Sequence, residues 1–501
     1  MTPTKSKNRW ITLAIVASAL FLICVDMTVL YTALPALTHA LSASSSAKLW
    51  ILNIYALVVA GLLPGLGTLG DRHGHKTLFI WGLAIFGMAS IAAAWSPSPP
   101  LLIAARAALG VGGAAMMPAT LAIIRHSFAD QQERALAIGI WAGIASGGMA
   151  LGPVVGGLLL EHYWWGSVFL VNVPVVAIAL VATVFFVPRR APTGTAQWDI
   201  IGSLQIMVGL IAAVFAIKTL AQQPFSILQM LAALAVAAIA FVIYLQRQQR
   251  RPQPLIDFSL FRLPGFSPAV AAATFGTFGI VGFELVLGQH LQLVLDRSPL
   301  QAGLMILPAP LGAFLAGPLA GRLLKSRPAT SVASSGLLLS AAATLALLWV
   351  PLTASGLTPL QTGLLVLIGM GVGATATAAS SSIMSSAPPD RSGMAASIEE
   401  VCFELGSALG VAVFGSMMTI VYAMSLTVPL ALDGLPAAVY DSLDEALLVA
   451  ELLPGRAGTI LQAAARTAFT QAYEAVLIGA ALLWTATAAL TLRTRPRGPV
   501  S

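Results

Sequence analysis

Five carboxylates interrupt stretches of sequence that are otherwise apolar: Asp26, Glu284, Glu399, Glu400 and Glu404. An ionised side chain in such surroundings costs about 2.5–3.5 kcal/mol even on a lenient insertion scale, so each acid calls for a partner, a water-filled space or a proton. A carboxylic acid withdrawn from water holds its proton towards neutral pH, and the same oxygens then accept either a proton or a cation. Competition of that kind is already an exchange chemistry. Glu400 and Glu404 stand four residues apart and share a helical face, with Glu399 adjacent. Structural pairing is the plain alternative, for instance of Asp26 with Arg106, a cation set in another apolar stretch. Tyr31, Trp50, Phe283, Phe403, Met116 and Met117 are expected to line a cavity that stacks on flat cations and repacks around different shapes. The simpler reading of these residues is bundle or lipid packing.

The elements that must position these acids are helices in lipid. Hydrophobic residues make up 58% of the 501 and charged residues 9%, where soluble domains carry about 25% charged. Mean hydropathy is +0.88. Spanning hydrocarbon takes about 20 mostly apolar residues, and stretches of that kind recur 14 times, from 12–35 at one end to 470–492 at the other. Unpaired backbone amides in lipid cost several kcal/mol each, so the expected fold is all-α, a polytopic closed bundle.

A net charge of +7 suggests nucleic acid until the positions are read. Counted over alternate loops, 20 of the 26 Lys and Arg residues fall on one side and only Lys48, Arg297, Arg456 and Arg466 on the other, with Arg106 and Lys218 at membrane depth. That asymmetry follows the positive-inside rule and predicts both termini in the cytoplasm, hence a multi-pass protein of the inner (cytoplasmic) membrane. The first span is too long for a signal peptide and lacks a small-residue cleavage site. Cys24 and Cys402 lie inside spans, so a disulfide framework is not expected.

Residues 1–190 hold six spans and end at Pro188-Arg189-Arg190. Two further spans occupy 191–257, and 258–501 hold six more with a long external hairpin near 426–469. The hairpin carries Asp433, Asp441, Asp444, Glu445 and Glu451 among Leu and Ala, the pattern of one or two amphipathic helices. Two similar halves with a site between them is how many secondary transporters are built. No P-loop pattern is found, so the energy source is expected to be the proton gradient, with no cofactor and no metal. The expected partners are the bilayer, small organic cations and protons; no nucleic acid is expected, and the chain is expected to be a monomer.

Glycine makes a second constellation. Gly148, Gly152 and Gly156 recur every four residues, a face that lets another helix approach closely, and Pro153 adds a kink. Around these positions the chain resembles the major facilitator superfamily, in its 14-helix drug:proton antiporter branch. Four motifs carry the resemblance. Gly67-Thr68-Leu69-Gly70-Asp71-Arg72-His73-Gly74-His75-Lys76 is similar to the signature loop between helices two and three. Arg106-Ala107-Ala108-Leu109-Gly110-Val111-Gly112-Gly113 matches the helix-four motif, and Gly148 to Gly157 the antiporter motif of helix five. Asp26-Met27-Thr28 with Ala33-Leu34-Pro35 is similar to the first-helix signature of the branch. The resemblance implies that Asp71 and Arg72 stabilise the outward-facing state, that Arg106 is linked to proton transfer, and that Gly148, Gly152, Pro153, Gly156 and Gly157 serve export.

Over nearly its full length the chain is also similar to the QacA-like quaternary ammonium exporters, through Leu49 to Tyr55, Phe169 to Pro174 and Ala396 to Glu400. That likeness implies export of lipophilic cations such as quaternary ammonium antiseptics, biguanides and dyes. Asp26, Glu399, Glu400 and Glu404 would then be acidic substrate or proton sites. Two positions depart from the pattern: Asn53 stands where the family has a helix-two Asp, and Ala313 where it has one in helix ten. The second puts divalent substrates in question, and Glu284 is the replacement carboxylate we expect. Exchanging one proton for a monocation uses the pH gradient alone, about 1.4 kcal/mol per pH unit. A dication works against an inside-negative potential at about 2.3 kcal/mol per 100 mV, which calls for two titrating groups. Export of neutral or anionic antibiotics or of an endogenous metabolite is the alternative activity. A transporter-like sensor or assembly protein that moves nothing is the alternative class.

Overall fold

A computed structural model describes residues 6–128, 130–189, 199–221, 225–251, 254–350, 352, 356–388, 391–427, 435–454 and 456–493. Lys5, Arg190, Asp433, Arg495 and Arg497, with most of the polar stretch after Arg190, lie outside the described residues. Among the described residues, fourteen helices are long and apolar enough to cross a membrane. They are α1 (Arg9–Leu41), α2 (Ser45–His73), α3 (His75–Ala94), α4 (Pro99–Ser127), α5 (Leu136–His162), α6 (Ser167–Phe186), α7 (Ile200–Thr219), α8 (Ile227–Gln249), α9 (Phe266–Val294), α10 (Pro299–Leu323), α11 (Ala329–Leu347), α12 (Pro359–Ser386), α13 (Met394–Ser425) and α15 (Arg456–Arg493). The short α14 (Leu443–Leu452) stands between the last two.

Local sequence explains where these helices start. Ser298 and Thr358 each accept a bond from the backbone N–H three residues on while Gln301 and Gln361 accept one through Oε1 from the cap N–H, and Pro299 and Pro359 follow at the first helical position. Gly74, at φ 91°, is the single-residue joint between α2 and α3, a conformation that any side chain would strain. Expected boundaries shift at both ends of the chain, the first span running on past Pro35 to Leu41. The second arm of the hairpin is the outer part of α15, which begins at Arg456 and not near 470. The alanine-rich run before Phe469 has no Pro to stop the helix, and hydropathy marks only the part of a helix that suits lipid.

The packing is a repeat. In the first half α1 lies on α5, α3 and α2 lie on α4, and α6 lies on α1 and α3. In the second, α9 lies on α13, α11 and α10 lie on α12, and α15 lies on α9 and α11. The six helices of one bundle therefore map in order onto the six of the other, a parallel repeat. The bundles meet at two seams, α2 with α13 and α5 with α10, which the repeat exchanges. Helices α7 and α8 pack together, and α7 also reaches α2 and α13, so the inserted pair covers one seam only. Its anchor is Asp199, whose carboxylate caps α7 through the Gly202 N–H at 3.0 Å and binds Arg247, Arg251 and Gln248 at the end of α8. Burial pushes that carboxyl up, but the bonds from Arg247, Gly202, Arg251 and Gln248 outweigh it and hold the group below the usual carboxylate range.

An even number of spans leaves both ends of the chain on one face, the terminal face, and α14 on the other, the hairpin face. Several close contacts between the halves lie towards the hairpin face. Gly157 touches Leu300, Gly303 touches Pro153, and Gly415 touches Leu49. The Ser298 hydroxyl donates to Glu161 at 2.6 Å.

Candidate functional site

Asp26 lies at the centre of the first bundle, fully enclosed. One carboxylate oxygen is bound by the Arg106 guanidinium from α4, and the other accepts from Asn172 Nδ2 of α6 at 3.1 Å. Arg106 also donates through Nε to the Ile51 carbonyl at 3.3 Å and lies over the Tyr55 ring, 4.8 Å from its centroid. Asn172 shares a bond with Ser90 of α3 at 3.3 Å. The glycines of the helix-four motif make this possible. A Cβ at Gly110 would stand 2.9 Å from the Tyr55 carbonyl, and one at Gly112 would stand 2.8 Å from the Phe86 backbone nitrogen, so only glycine lets α4 sit between α2 and α3. Arg106 is thereby aimed at Asp26, and the pairing weighed from sequence is the observed geometry.

The acids of the second bundle are arranged differently. Glu404 on α13 is 2% exposed, and its Oε2 has no hydrogen-bond partner. Glu400, one turn nearer the terminal face, and Glu284 on α9 are half-buried, and neither has an ion pair among the described residues. All three look across the seam at the first bundle. Glu400 and Glu404 lie within electrostatic reach of Cys24, Glu284 and Glu404 within reach of Tyr31, and Glu404 within reach of Tyr55 and Arg106. Tyr31 in turn lies close to Ser407 of α13. These contacts turn the half-buried Glu284 and Glu400 towards the other bundle. Glu399 does not join them; its carboxylate turns into its own bundle, towards Ser380 of α12.

Several expected cavity residues belong elsewhere. Met116 packs on Gly82 of α3 inside the first bundle, and Phe283 lies in the core of the second with Phe278 and Phe414, because each points away from the seam. Phe403 packs against the cluster of Leu260 and Phe266. Trp50 faces the insert, stacked on Phe215 with the Lys218 ammonium 4.0 Å from its ring centroid. Asn53 is fully buried on α2 with both amide atoms unpartnered.

The glycine face divides its work. Gly148, Gly152 and Gly156 press α5 onto α1 at Cys24, Thr28 and Val29, whereas Gly157 and Pro153 press it onto α10 across the seam. In the last turn of α2, Asp71 bonds to His75 at the start of α3 at 3.0 Å, and Arg72 is exposed. Gly67 has room for a side chain, its nearest neighbour being Pro118. Lys76 closes the end of α6 by donating to the Val184 and Val187 carbonyls at 2.9 and 2.6 Å. Sequence reasoning missed Asn172, Ser90 and Tyr55 as partners of the buried pair. An Asn in the middle of an apolar span was the available signal. No group of three or more His, Cys, Asp or Glu among the described residues is placed to hold a metal.

Residues 16–411 match the family model described as Major Facilitator Superfamily. The methyl viologen resistance protein SmvA of Salmonella typhimurium is 36% identical over 475 residues, 94% of this chain and 95% of the relative. The multidrug efflux pump LfrA of Mycolicibacterium smegmatis is 37% identical over 492 residues, 98% of this chain and 96% of the relative. In structure the chain is similar to a bacterial homologue of the human lysosomal transporter Spinster, solved inward-facing and unoccupied. The TM-score is 0.68 at 18% identity, covering 99% of this chain and 100% of the other, a likeness of fold. Two six-helix bundles meeting at two seams, the match along most of the chain and full-length relatives have one meaning: this chain is a transport protein, not an enzyme, and it belongs to the Major Facilitator Superfamily.

Proposed function

We propose that the chain is a multidrug efflux pump that exchanges protons for lipophilic organic cations across the inner membrane, with its terminal face in the cytoplasm. The observation that carries this reading is the trio Glu284, Glu400 and Glu404, carboxylates turned towards the seam with no ion pair among the described residues. An acid with no fixed partner is free to hold a proton or a substrate cation. The relatives support the reading: one is named for resistance to methyl viologen, an organic dication, and another as a multidrug efflux pump. The uneven distribution of Lys and Arg supports the orientation.

Substrate enters from the cytoplasm, where the halves are not held by the glycine contacts seen at the hairpin face. It settles against ionised Glu400 and Glu404, with Tyr31 as an aromatic wall. Rocking of the bundles opens the hairpin face, protons from outside neutralise the acids, and the cation leaves. Return and loss of the protons to the cytoplasm restore the negative site. Asp26 and Arg106 act as a fixed pair whose guanidinium lies within electrostatic reach of Glu404, so the charge of one node is felt by the other. Proteoliposomes loaded with a pH dye test the reading. Adding ethidium or benzalkonium outside is expected to release protons from the lumen, and overexpression is expected to raise the tolerance of cells to both. No proton release, or unchanged tolerance alongside export of neutral antibiotics, would overturn it.

A further inference from the structure

The hairpin carries the one buried ion pair that crosses between the bundles among the described residues. Lys48, in the first turn of α2, reaches Asp444 in the first turn of α14, with side chains only 7% and 9% exposed. Beside it the Ser45 hydroxyl donates to the Asp441 carbonyl at 2.9 Å. Asp441 and Glu445 lie within electrostatic reach of the Lys48 ammonium. Beneath the pair lies a cavity of about 20 Å³, lined by Gln289, Leu49, Tyr422 and Phe469 among others.

What gives the pair its meaning is where α14 belongs. Leu443, Ala446, Ala450 and Val439 are buried in the core of the second bundle, and the Tyr422 hydroxyl of α13 donates to the Val439 carbonyl at 3.1 Å. Ser442 caps α14 by accepting from the Glu445 N–H at 3.4 Å. The hairpin therefore moves with the second bundle, while Lys48 moves with the first. Any rocking that opens the hairpin face must break the bond between them. The repeat sharpens the point. At the seam of α5 and α10 the hairpin face is held by backbone-close contacts, Gly157 on Leu300 and Pro153 on Gly303. At the exchanged seam of α2 and α13 the charged hairpin supplies a closing contact of its own.

We propose that Lys48 and Asp444 are an outer latch: the hairpin is a gate element that holds the exit shut until the bundles rock. This rests on the reading of the chain as an alternating-access exporter with the hairpin outside. On opening, both ions pass into water and are not left unpaired in protein, so the latch is reversible and sets the balance between closed and open.

The test is labelling of Gln289→Cys, a position that is 4% exposed beneath the latch, by a membrane-impermeant thiol reagent. The protein is full-length in proteoliposomes, and the parent chain, whose Cys24 and Cys402 are buried, serves as blank. Lys48→Met is expected to raise the labelling rate about tenfold, within the usual span of a coupling between two states. The charge swap Lys48→Asp with Asp444→Lys is expected to return it to the starting rate. Should Lys48→Met misfold, Asp444→Asn keeps the shape and reads the same shift. A rate unchanged by either single variant, or a swap no better than the singles, overturns the latch. A rise seen only with reagent on the cytoplasmic side supports the latch and overturns the orientation on which the export reading depends.

Discussion

The two bundles each bury acid at mid-span, and they treat it in opposite ways. In the first, Asp26 is saturated by Arg106 and Asn172. In the second, Glu404 keeps an oxygen without a partner, and Glu284 and Glu400 face the seam without an ion pair among the described residues. A saturated carboxylate ties together the helices that supply its partners. An unsaturated one costs stability and stays available. The contrast assigns architecture to the first node and exchange to the second, a distinction that residue type alone does not make.

The strongest way to break the comparison is Glu404→Gln. Proton release on substrate addition is expected to fall to background while the melting temperature in detergent stays the same or rises, because an unsatisfied buried carboxyl oxygen has been removed. A destabilised protein that still exchanges would reverse the assignment. Asp26→Asn is expected to do the opposite first, lowering unfolding stability by about 3–5 kcal/mol, because it leaves Arg106 buried and unpaired. Combining it with Arg106→Met is expected to recover most of that loss, and thermal unfolding of the single and double variants reads the difference. If Asp26→Asn keeps both full stability and full efflux, the pair carries neither role.

A finer test is Asn172→Ala, which removes a hydrogen bond to a charged group and is expected to cost about 1.5–3 kcal/mol of stability with exchange retained. Loss of exchange without loss of stability would move Asn172 into the site. The smallest expected effect is on Glu284→Gln, assayed with matched mono- and dications. Dication transport is expected to fall about tenfold, the equivalent of 1.4 kcal/mol, with monocation transport little changed. Equal losses for both would place Glu284 in the common proton step.

Much of this architecture was legible in the chain, and the reasons differ between elements. Fourteen spans follow from hydropathy because lipid leaves a helix no alternative. The last span shows the limit of that signal, since α15 continues past the membrane on helix propensity that hydropathy does not see. Glycine spacing on α5 announced close packing but not its partners. Three of the glycines serve α1 inside a bundle, and Gly157 alone with Pro153 serves the seam. Glu399 and Glu400 are neighbours in sequence and turn to different bundles, since adjacent residues on a helix point about 100° apart.

What the sequence by itself determined is the solvent, the number of spans, the uneven charge and the identity of the costly acids, all of them properties of single residues or of local periodicity. Only the tertiary structure decided which acids are paired. Asp26 meets Arg106 and Asn172 from 80 and 146 residues away, and Lys48 meets Asp444 from 396 away. Whether a carboxylate is a strut or a site depends on what stands within hydrogen-bond reach of its oxygens, and that is set by how the helices pack.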